Sequence, residues 1–255
     1  MIVFHDLVKR FDDKTVLNGF SLEIPDGQTT VIIGYSGSGK SVALKHIVGL
    51  LEPDAGAVTV DDQVVHELDR DALTALRTHI GYVFQFAALF DSMSVSDNIA
   101  LGLRRQRLPD GEIADRVHEA LELVELADTA ELFPAELSGG MRKRVGIARA
   151  IALRPRYILY DEPTTGLDPV TSAVMDQLMV RTRETYGVTS VVVTHDMRSA
   201  YTVGDRIAML YRGTVRQVGT IEQIQRTHDP IVRQFIEGRP EAVDDAERAV
   251  EGVEP

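Results

Sequence analysis

Eight residues near the start of the chain read Gly34-Tyr35-Ser36-Gly37-Ser38-Gly39-Lys40-Ser41. They follow the apolar run 30–33 and precede a helical pattern that begins at Val42. A strand, a glycine-rich turn and a helix in this order form a phosphate-binding loop, because backbone N–H groups and the helix dipole then face an anion. We expect Lys40 to bridge the outer phosphates of a nucleotide and the Ser41 hydroxyl to bind Mg²⁺. The stretch therefore predicts an α/β fold built around a nucleotide site.

Two carboxylates close a second apolar run. Asp161 and Glu162 follow residues 157–160, whose continuous apolar character is typical of a parallel strand buried on both faces. Ligands of open α/β sheets bind at the carboxyl ends of such strands. We therefore expect Asp161 to contact Mg²⁺, directly or through water, and Glu162 to be the base that polarises the attacking water.

Two further side chains follow apolar runs of the same kind. Gln85 comes directly after residues 80–84, and its amide suits contact with Mg²⁺ and the attacking water. His195 ends the strand pattern 190–194 and is expected to contact the γ-phosphate. The predicted catalytic residues are thus Glu162, His195 and Gln85, and the predicted metal ligands are Ser41, Gln85 and Asp161.

A second glycine-rich loop lies before the carboxylate strand. Ser138-Gly139-Gly140 begins a helical pattern that runs to about Leu153, with Ser138 as its N-cap. A glycine-opened helix start binds anions through its free N–H groups. Because the phosphates at Lys40 already have one such helix, we expect this second one to serve the nucleotide of a facing copy. The basic run Arg142-Lys143-Arg144 is interpreted as a solvated helix face without a catalytic role.

Three features each keep two interpretations. Asp168, in the stretch Gly166-Leu167-Asp168-Pro169, either starts a simple turn or reaches across a subunit boundary to a nucleotide. Phe11 precedes the phosphate loop, and its ring either stacks on adenine or packs in the core. The apolar run 86–90 either docks a partner or is buried within the domain.

Two kinds of strand pattern alternate along the chain. Residues 2–10, 20–24, 58–65 and 207–218 are rich in β-formers and interrupted by turn residues, as in antiparallel hairpins. The longer apolar runs suit a parallel core, and helical periodicity appears at residues 113–126. The sequence predicts an α/β core with an attached antiparallel subdomain and a helical subdomain inserted at about 87–154.

Charge and composition narrow the class of protein. The net charge of −12 argues against a nucleic-acid binder, and the acids between Glu241 and Glu254 predict an acidic tail, 241–255, after a domain spanning 1–240. The chain has no cysteine, which excludes disulfides and fits the cytosol. No apolar run approaches the roughly 20 residues of a membrane span. We expect a cytoplasmic protein whose membrane role comes through a partner.

Taken together, the motifs resemble the ATP-binding subunit of an ABC transporter from Phe11 to about Gly238. The order of phosphate loop, Gln85, glycine-rich signature, carboxylate strand, Asp168 and His195 carries the resemblance. It implies a RecA-like P-loop NTPase core and a head-to-tail dimer. ATP and Mg²⁺ would lie between Lys40 of one copy and Ser138-Gly139-Gly140 of the other, with Phe11 and Asp168 as further nucleotide contacts. Hydrolysis would be passed through the Gln85 region to membrane permeases.

A finer resemblance is carried by surface and linker segments. The signature ends in Met141, where the wider family commonly has glutamine, and this is similar to the Mla-type subfamily. Similar stretches are Leu44-Lys45-His46-Ile47, Ala88-Leu89-Phe90-Asp91-Ser92-Met93-Ser94-Val95 and Asp229-Pro230-Ile231-Val232-Arg233-Gln234-Phe235.

The Mla resemblance implies phospholipid transport in double-membraned bacteria, on the cytoplasmic face of the inner membrane. It also implies a permease, an MCE-domain lipid-binding protein and a small regulatory subunit as partners. The alternatives are amino-acid import, lipoprotein release, or a soluble ABC ATPase that works outside membranes.

Overall fold

A computed structural model describes residues 1–239 of the 255-residue chain, so the predicted acidic tail at 241–255 lies outside the described residues. The strands are β1 (Ile2–Phe11), β2 (Lys14–Ile24), β3 (Thr29–Ile33), β4 (Ala55–Val60), β5 (Gln63–Val64), β6 (Ile80–Val83), β7 (Tyr157–Asp161), β8 (Thr189–Thr194), β9 (Arg206–Tyr211) and β10 (Thr214–Thr220). The α-helices are α1 (Lys40–Ile47), α2 (Arg70–Thr78), α3 (Val95–Arg105), α4 (Asp110–Leu123), α5 (Gly139–Ala152), α6 (Pro169–Tyr186), α7 (Met197–Val203), α8 (Ile221–Gln225) and α9 (Pro230–Ile236). In this part of the chain, no helix combines the length and the apolar character needed to cross a membrane.

The larger sheet has the strand order β10-β9-β3-β8-β7-β6. Strands β9, β3, β8, β7 and β6 run parallel, and Val31 on β3 pairs with Val192 on one side and Ile207 on the other. Every residue of β3, β7 and β8 is buried, as expected of strands covered on both faces. Parallel strands bring their carboxyl ends to one edge, and the functional loops emerge there.

The hairpin of β9 and β10 belongs to the larger sheet. The sequence grouped residues 207–218 with the antiparallel strands, whereas β9 pairs in parallel with β3 and antiparallel only with β10. The reason is that Ile207, Ala208, Met209 and Leu210 are all fully buried, so β9 needs cover on both faces. In the larger sheet Ile207 and Met209 pack into one apolar cluster and Ala208 and Leu210 into the other, and β10 forms the edge.

The smaller sheet is antiparallel, in the order β2-β1-β4-β5. Its apolar face packs on α1 and the core strands, with Phe4 and Phe20 edge to face at 4.9 Å. Its β2 strand also touches the phosphate loop, since a Cβ at Gly39 would lie 2.9 Å from the Val16 side chain. The small sheet therefore helps to fix the loop that follows β3.

Helices α3, α4 and α5 pack together over the other end of the sheet. Leu103, Leu121 and Ile147 are buried in the same apolar cluster. The predicted α/β core with an attached antiparallel sheet and a helical part is confirmed. The domain limits of 1–240 and about 87–154 stay predictions.

Candidate active site

The phosphate loop joins the end of β3 to the start of α1. Gly34 has a φ of 156°, and a Cβ there would lie 2.5 Å from the Leu210 carbonyl oxygen. Gly39 precedes α1 with a φ of 106°, a conformation that residues with side chains rarely adopt. The loop thus needs glycine at both positions, and it leaves the N-terminus of α1 facing the cleft described below.

The Lys40 side chain folds back over this loop. Its ammonium donates to the carbonyl oxygens of Gly34 at 2.8 Å and Tyr35 at 3.1 Å, and it lies 3.6 Å from Glu162 Oε1. Burial lowers the pKa of Lys40, while the nearby Glu162 carboxylate acts in the opposite direction. A buried cation at the mouth of an anion-binding loop suits contact with phosphate.

Asp161 lies beside the loop at the end of β7. The Ser41 hydroxyl donates to Asp161 Oδ1 at 2.6 Å, and the Tyr82 hydroxyl donates to Oδ2 at 3.1 Å. Burial, reinforced by Asp161, raises the pKa of Tyr82, so its hydroxyl remains a donor. Tyr82 is not among the residues that the sequence motifs predicted for the site.

This donor set fits Mg²⁺ bound together with a nucleotide. Ser41 and Asp161 offer a hydroxyl and a carboxylate at one point, and Mg²⁺ is usually held by one or two carboxylates plus substrate phosphates. Within residues 1–239 no group of three or more His, Cys, Asp or Glu side chains could hold a metal by itself. Nucleotide phosphates and water would supply the other ligands.

Glu162 is held on three sides. Its backbone lies in the left-handed region with a φ of 49°, and its N–H donates to the Val193 carbonyl oxygen at 3.0 Å. Its Oε2 lies 2.9 Å from His195 Nδ1 and accepts a hydrogen bond from the Thr165 hydroxyl, also at 2.9 Å. Lys40 approaches the other carboxylate oxygen. Such a strained and over-determined carboxylate is typical of a functional site.

A cleft of about 420 Å³ opens over these residues. It is lined by Phe11, Val16, Ser36, Gly37, Gly39, Lys40, Ser41, Val42, Gln85, Glu162, Thr165 and His195. Phe11 is 41% exposed and lies at the cleft, which favours ligand stacking over core packing as its interpretation. The phosphate loop, Gln85, Glu162 and His195, which are far apart in the sequence, thus face one space.

The second glycine-rich loop lies elsewhere. Ser138 caps α5, its hydroxyl accepting from the Met141 N–H at 3.2 Å, and Ser138 and Gly139 are exposed. Neither residue lines the cleft. The Met141 side chain packs against the apolar core, so the residue that replaces the usual glutamine serves packing. Ser138-Gly139-Gly140 therefore presents a free helix start that its own chain's cleft does not use.

Asp168 caps helix α6. Its carboxylate accepts from the N–H groups of Val170 and Thr171 and from the Thr171 hydroxyl, and these bonds hold its pKa below the usual range. Gly140 lies against the same helix start, since a Cβ there would be 2.7 Å from Thr171 Cγ2. Asp168 thus has a local capping role, and its contact with a nucleotide across a subunit boundary stays a prediction.

The interpretation of Arg142, Lys143 and Arg144 as a solvated helix face is wrong for Lys143. This lysine is buried, and its ammonium donates to main-chain carbonyls in the loop after Glu162. A helical spacing of four and seven residues places it on the same face as the buried Ile147 and Ala150, which was the available signal. Thr165 is the other contact to Glu162 that the sequence did not indicate.

These features define a class of protein. A phosphate loop followed by a carboxylate pair at the edge of a parallel sheet is the site of a P-loop nucleoside triphosphatase. The chain belongs to the ABC transporter family, whose model matches residues 17–165, more than half of the chain. It is an ATPase of this family, and the family predicted from the motifs is confirmed.

The similar proteins include ATP-binding proteins named for the transport of different substrates. The probable ribonucleotide transport ATP-binding protein mkl of Mycobacterium leprae is 42% identical over 91% of this chain and 67% of its own length. The methionine import ATP-binding protein MetN of Carboxydothermus hydrogenoformans is 40% identical over 92% of this chain and 71% of its own length.

Two solved structures show the same fold. One is a dimeric post-hydrolysis state of the ATP-binding cassette MJ0796 bound to ADP and Pi, with 36% identity and a TM-score of 0.80 over 87% of this chain and 99% of that one. The other is cbiO1 of Clostridium perfringens, part of the cbiONQ transporter complex, with 28% identity and a TM-score of 0.81 over 97% of this chain and 98% of that one.

Proposed function

We propose that this chain is the ATP-hydrolysing subunit of a transporter that moves phospholipid across a bacterial envelope. The observation that carries the hydrolytic role is the Glu162 carboxylate, which lies between Lys40 and His195 and follows directly on the Asp161–Ser41 pair. Transport follows from the ABC transporter family. Phospholipid as the cargo is supported by the Mla-type segments and by the signature that ends in Met141.

Different side chains of the cleft have different roles in the proposed ATP hydrolysis. Lys40 and the N–H groups of the phosphate loop bind and orient the phosphates, and Phe11 offers a ring to the base. Glu162 accepts a hydrogen bond from the attacking water and takes its proton, while His195 and Thr165 hold the carboxylate in place. Ser41 and Asp161 would hold Mg²⁺, with Gln85 lining the same cleft as Ser41, and the bound metal would supply positive charge that offsets the charge of the phosphates.

A second copy of the chain completes the site in this proposal. Ser138 and Gly139 are exposed, and the loop Ser138-Gly139-Gly140 lies outside its own cleft, so its free N–H groups suit a nucleotide held by another copy. Asp168 lies next to this loop through the contact of Gly140 with Thr171, which makes the two features one surface. The dimeric state of the similar cassette MJ0796 supports the arrangement.

The run 86–90 is the proposed contact for a membrane permease. Phe86 is 85% exposed and Phe90 is 51% exposed, whereas Ala87 is buried. Arg149 donates to the carbonyl oxygens of Ala87 and Ala88, each at 2.7 Å, so the run is held firmly while its rings face outward. Burial within the domain holds for Ala87, and the two exposed rings are the part proposed to dock a partner. Binding to a permease would place the chain on the cytoplasmic face of the inner membrane.

The cargo is the part that most needs a direct test. The names of similar proteins mention ribonucleotide, sulfate and methionine transport, so family membership alone does not select phospholipid. An MCE-domain protein and a small regulatory subunit are further proposed partners, on the Mla-type resemblance.

The experiment is affinity purification of the tagged full chain from detergent-solubilised membranes of its source, with mass spectrometry of proteins and extracted lipids. We expect a permease without an ATPase domain and a bound phospholipid. Phe86→Ser should lose the permease, while Val218→Ser, which changes an exposed apolar residue on the edge strand β10, should keep it. A soluble partner in place of a permease would contradict the transport role. A permease that carries an amino acid and no phospholipid would contradict only the cargo.

A further inference from the structure

Lys143 is a buried cation on helix α5. Its side chain is 8% exposed, and its ammonium donates to the main-chain carbonyl oxygens of Thr165 at 2.6 Å, Pro163 at 2.9 Å and Glu162 at 3.4 Å. A lysine ammonium has three donors and no acceptor, so these three carbonyls use its full hydrogen-bonding capacity. Burial lowers its pKa, against the attraction of the Glu162 carboxylate.

Burying a charged lysine ammonium is energetically unfavourable, so a role that depends on it is expected. Removing a charged ammonium from water is unfavourable, whereas an apolar side chain would avoid that desolvation but leave the three carbonyl oxygens without this donor. The neighbouring Arg144 keeps its charge nearer the surface, where it donates to the Val124 and Glu125 carbonyl oxygens. Lys143 alone in the basic run reaches the loop after Glu162.

The carbonyls that Lys143 binds belong to the loop that aims the proposed base. Glu162 has a left-handed backbone, and Thr165 of the same loop donates its hydroxyl to Glu162 Oε2. A shift of this loop would therefore move both the carboxylate and one of the groups that orient it. Lys143 binds the loop through its main-chain carbonyl oxygens and does not line the cleft itself.

Helix α5 also carries the exposed loop at its N-terminus. Ser138 caps the helix that Lys143 sits on, so the two are joined by rigid helical backbone. We propose that Lys143 is a positioning residue for ATP hydrolysis, which fixes the loop of Glu162 to the helix whose N-terminus contacts the nucleotide of a second copy. The proposal rests on the proposed role of Glu162 as the base. It assigns to Lys143 no contact with nucleotide or metal.

The test compares Lys143→Met, which keeps the length and removes all three donors, with Arg144→Met as the matched control. We expect the Lys143 variant to lower kcat about 100-fold, since misplacement of a catalytic group by about 1 Å has an effect of this size. The KM for ATP should stay within about twofold of wild type, because no ground-state contact is lost. The control should keep kcat while losing a comparable pair of main-chain hydrogen bonds.

Thermal unfolding and ATP binding by a fluorescent analogue show whether each variant is folded. If Lys143→Met does not fold, Lys143→Gln, which removes the charge and keeps two donors, should still lower kcat at unchanged KM. A folded Lys143 variant with wild-type kcat would overturn the proposal, and so would a loss of kcat matched by an equal loss in Arg144→Met.

A double variant separates this proposal from that for Glu162. If Lys143 acts through Glu162, adding Lys143→Met to Glu162→Gln should cause no further loss of residual turnover, since the two residues then act as a unit. Additive losses would contradict action through Glu162. If Glu162→Gln alone keeps wild-type turnover, it is the role of Glu162 that fails.

Discussion

At the scale of a single residue, Glu162 is the side chain on which the proposed ATP hydrolysis depends most. Its carboxylate has a cation, an imidazole and a hydroxyl around it, yet it still faces the cleft. Its left-handed backbone turns it away from the path of β7, so that Asp161 and Glu162 point to different partners. Two adjacent carboxylates can in this way take different roles, one at the metal and one at the water.

Replacing Glu162 by Gln should separate binding from hydrolysis. The amide keeps the shape but no longer accepts a proton, so ATP affinity should persist while turnover falls at least about 100-fold, in the range expected for loss of a general base. Binding is measured by fluorescence with an ATP analogue and turnover by phosphate release. Glu184→Gln, on the exposed side of α6, is the control and should keep wild-type turnover. Undiminished phosphate release from Glu162→Gln would remove it as the base.

At the scale of elements, helices α6 and α7 meet at a buried acid. Asp176 on α6 accepts from the Ser199 hydroxyl on α7 at 3.0 Å, and Ser199 lies 3.5 Å from the Thr164 hydroxyl in the loop after Glu162. Burial raises the pKa of Asp176 to about 6, with the Asp196 charge adding to the effect and the Ser199 hydroxyl opposing it. Compared with the unfolded chain, the folded chain therefore favours the protonated form of Asp176.

The sign of the pH effect follows from this raised pKa. Between about pH 4 and 6 the folded state binds more protons at Asp176 than the unfolded state, so stability falls as the pH rises through that range. Asp176→Asn removes the buried charge and keeps an acceptor for Ser199, so its melting temperature should exceed that of wild type by a few degrees near pH 7.5. The gap should narrow as the pH falls through about 6 and close by about pH 4. Asp115→Asn, at an exposed position on α4, should show no such pH-dependent gap. A gap that stays constant with pH would contradict the assignment.

The elements also show what the sequence could predict. The phosphate loop and the carboxylate pair were found because their residues are adjacent in the chain and their spacing carries the chemistry. Lys143 and Tyr82 were missed because their partners lie 20 and 79 residues away. The β9–β10 hairpin was grouped with the wrong sheet. Turn residues predict a hairpin, but they do not indicate which further strand the hairpin pairs with. Local patterns predicted the elements, whereas long-range contacts had to come from the structure.

At the scale of the whole molecule, the proposed dimer needs two different halves of a site from each chain. Lys40 and Glu162 face its own cleft, while Ser138 lies exposed outside it. In a head-to-tail pair, a chain with a defective Ser138 and a chain with a defective Lys40 can still build one intact site between them. This arrangement gives a test by mixing variants.

Ser138→Arg and Lys40→Ala should each be nearly inactive alone, and an equal mixture should recover turnover up to about a quarter of wild type, since about half the dimers then hold one intact site of two. Phosphate release is measured after the chains have exchanged partners. The control mixture of Lys40→Ala with Glu162→Gln should recover nothing, because both lesions lie in the same half. Wild-type turnover by Ser138→Arg alone would contradict the composite site.

The double attachment of helix α5 has a genetic consequence. In the proposed dimer, the N-terminal Ser138 would contact the neighbour's nucleotide and the buried Lys143 would hold its own catalytic loop, so a mutation that displaces the whole helix would damage both sites of a mixed dimer. A mutation confined to Lys40 leaves one of them whole. In a cell that makes both wild-type and mutant chains, lesions that displace α5 should therefore be dominant, and lesions of the phosphate loop more nearly recessive.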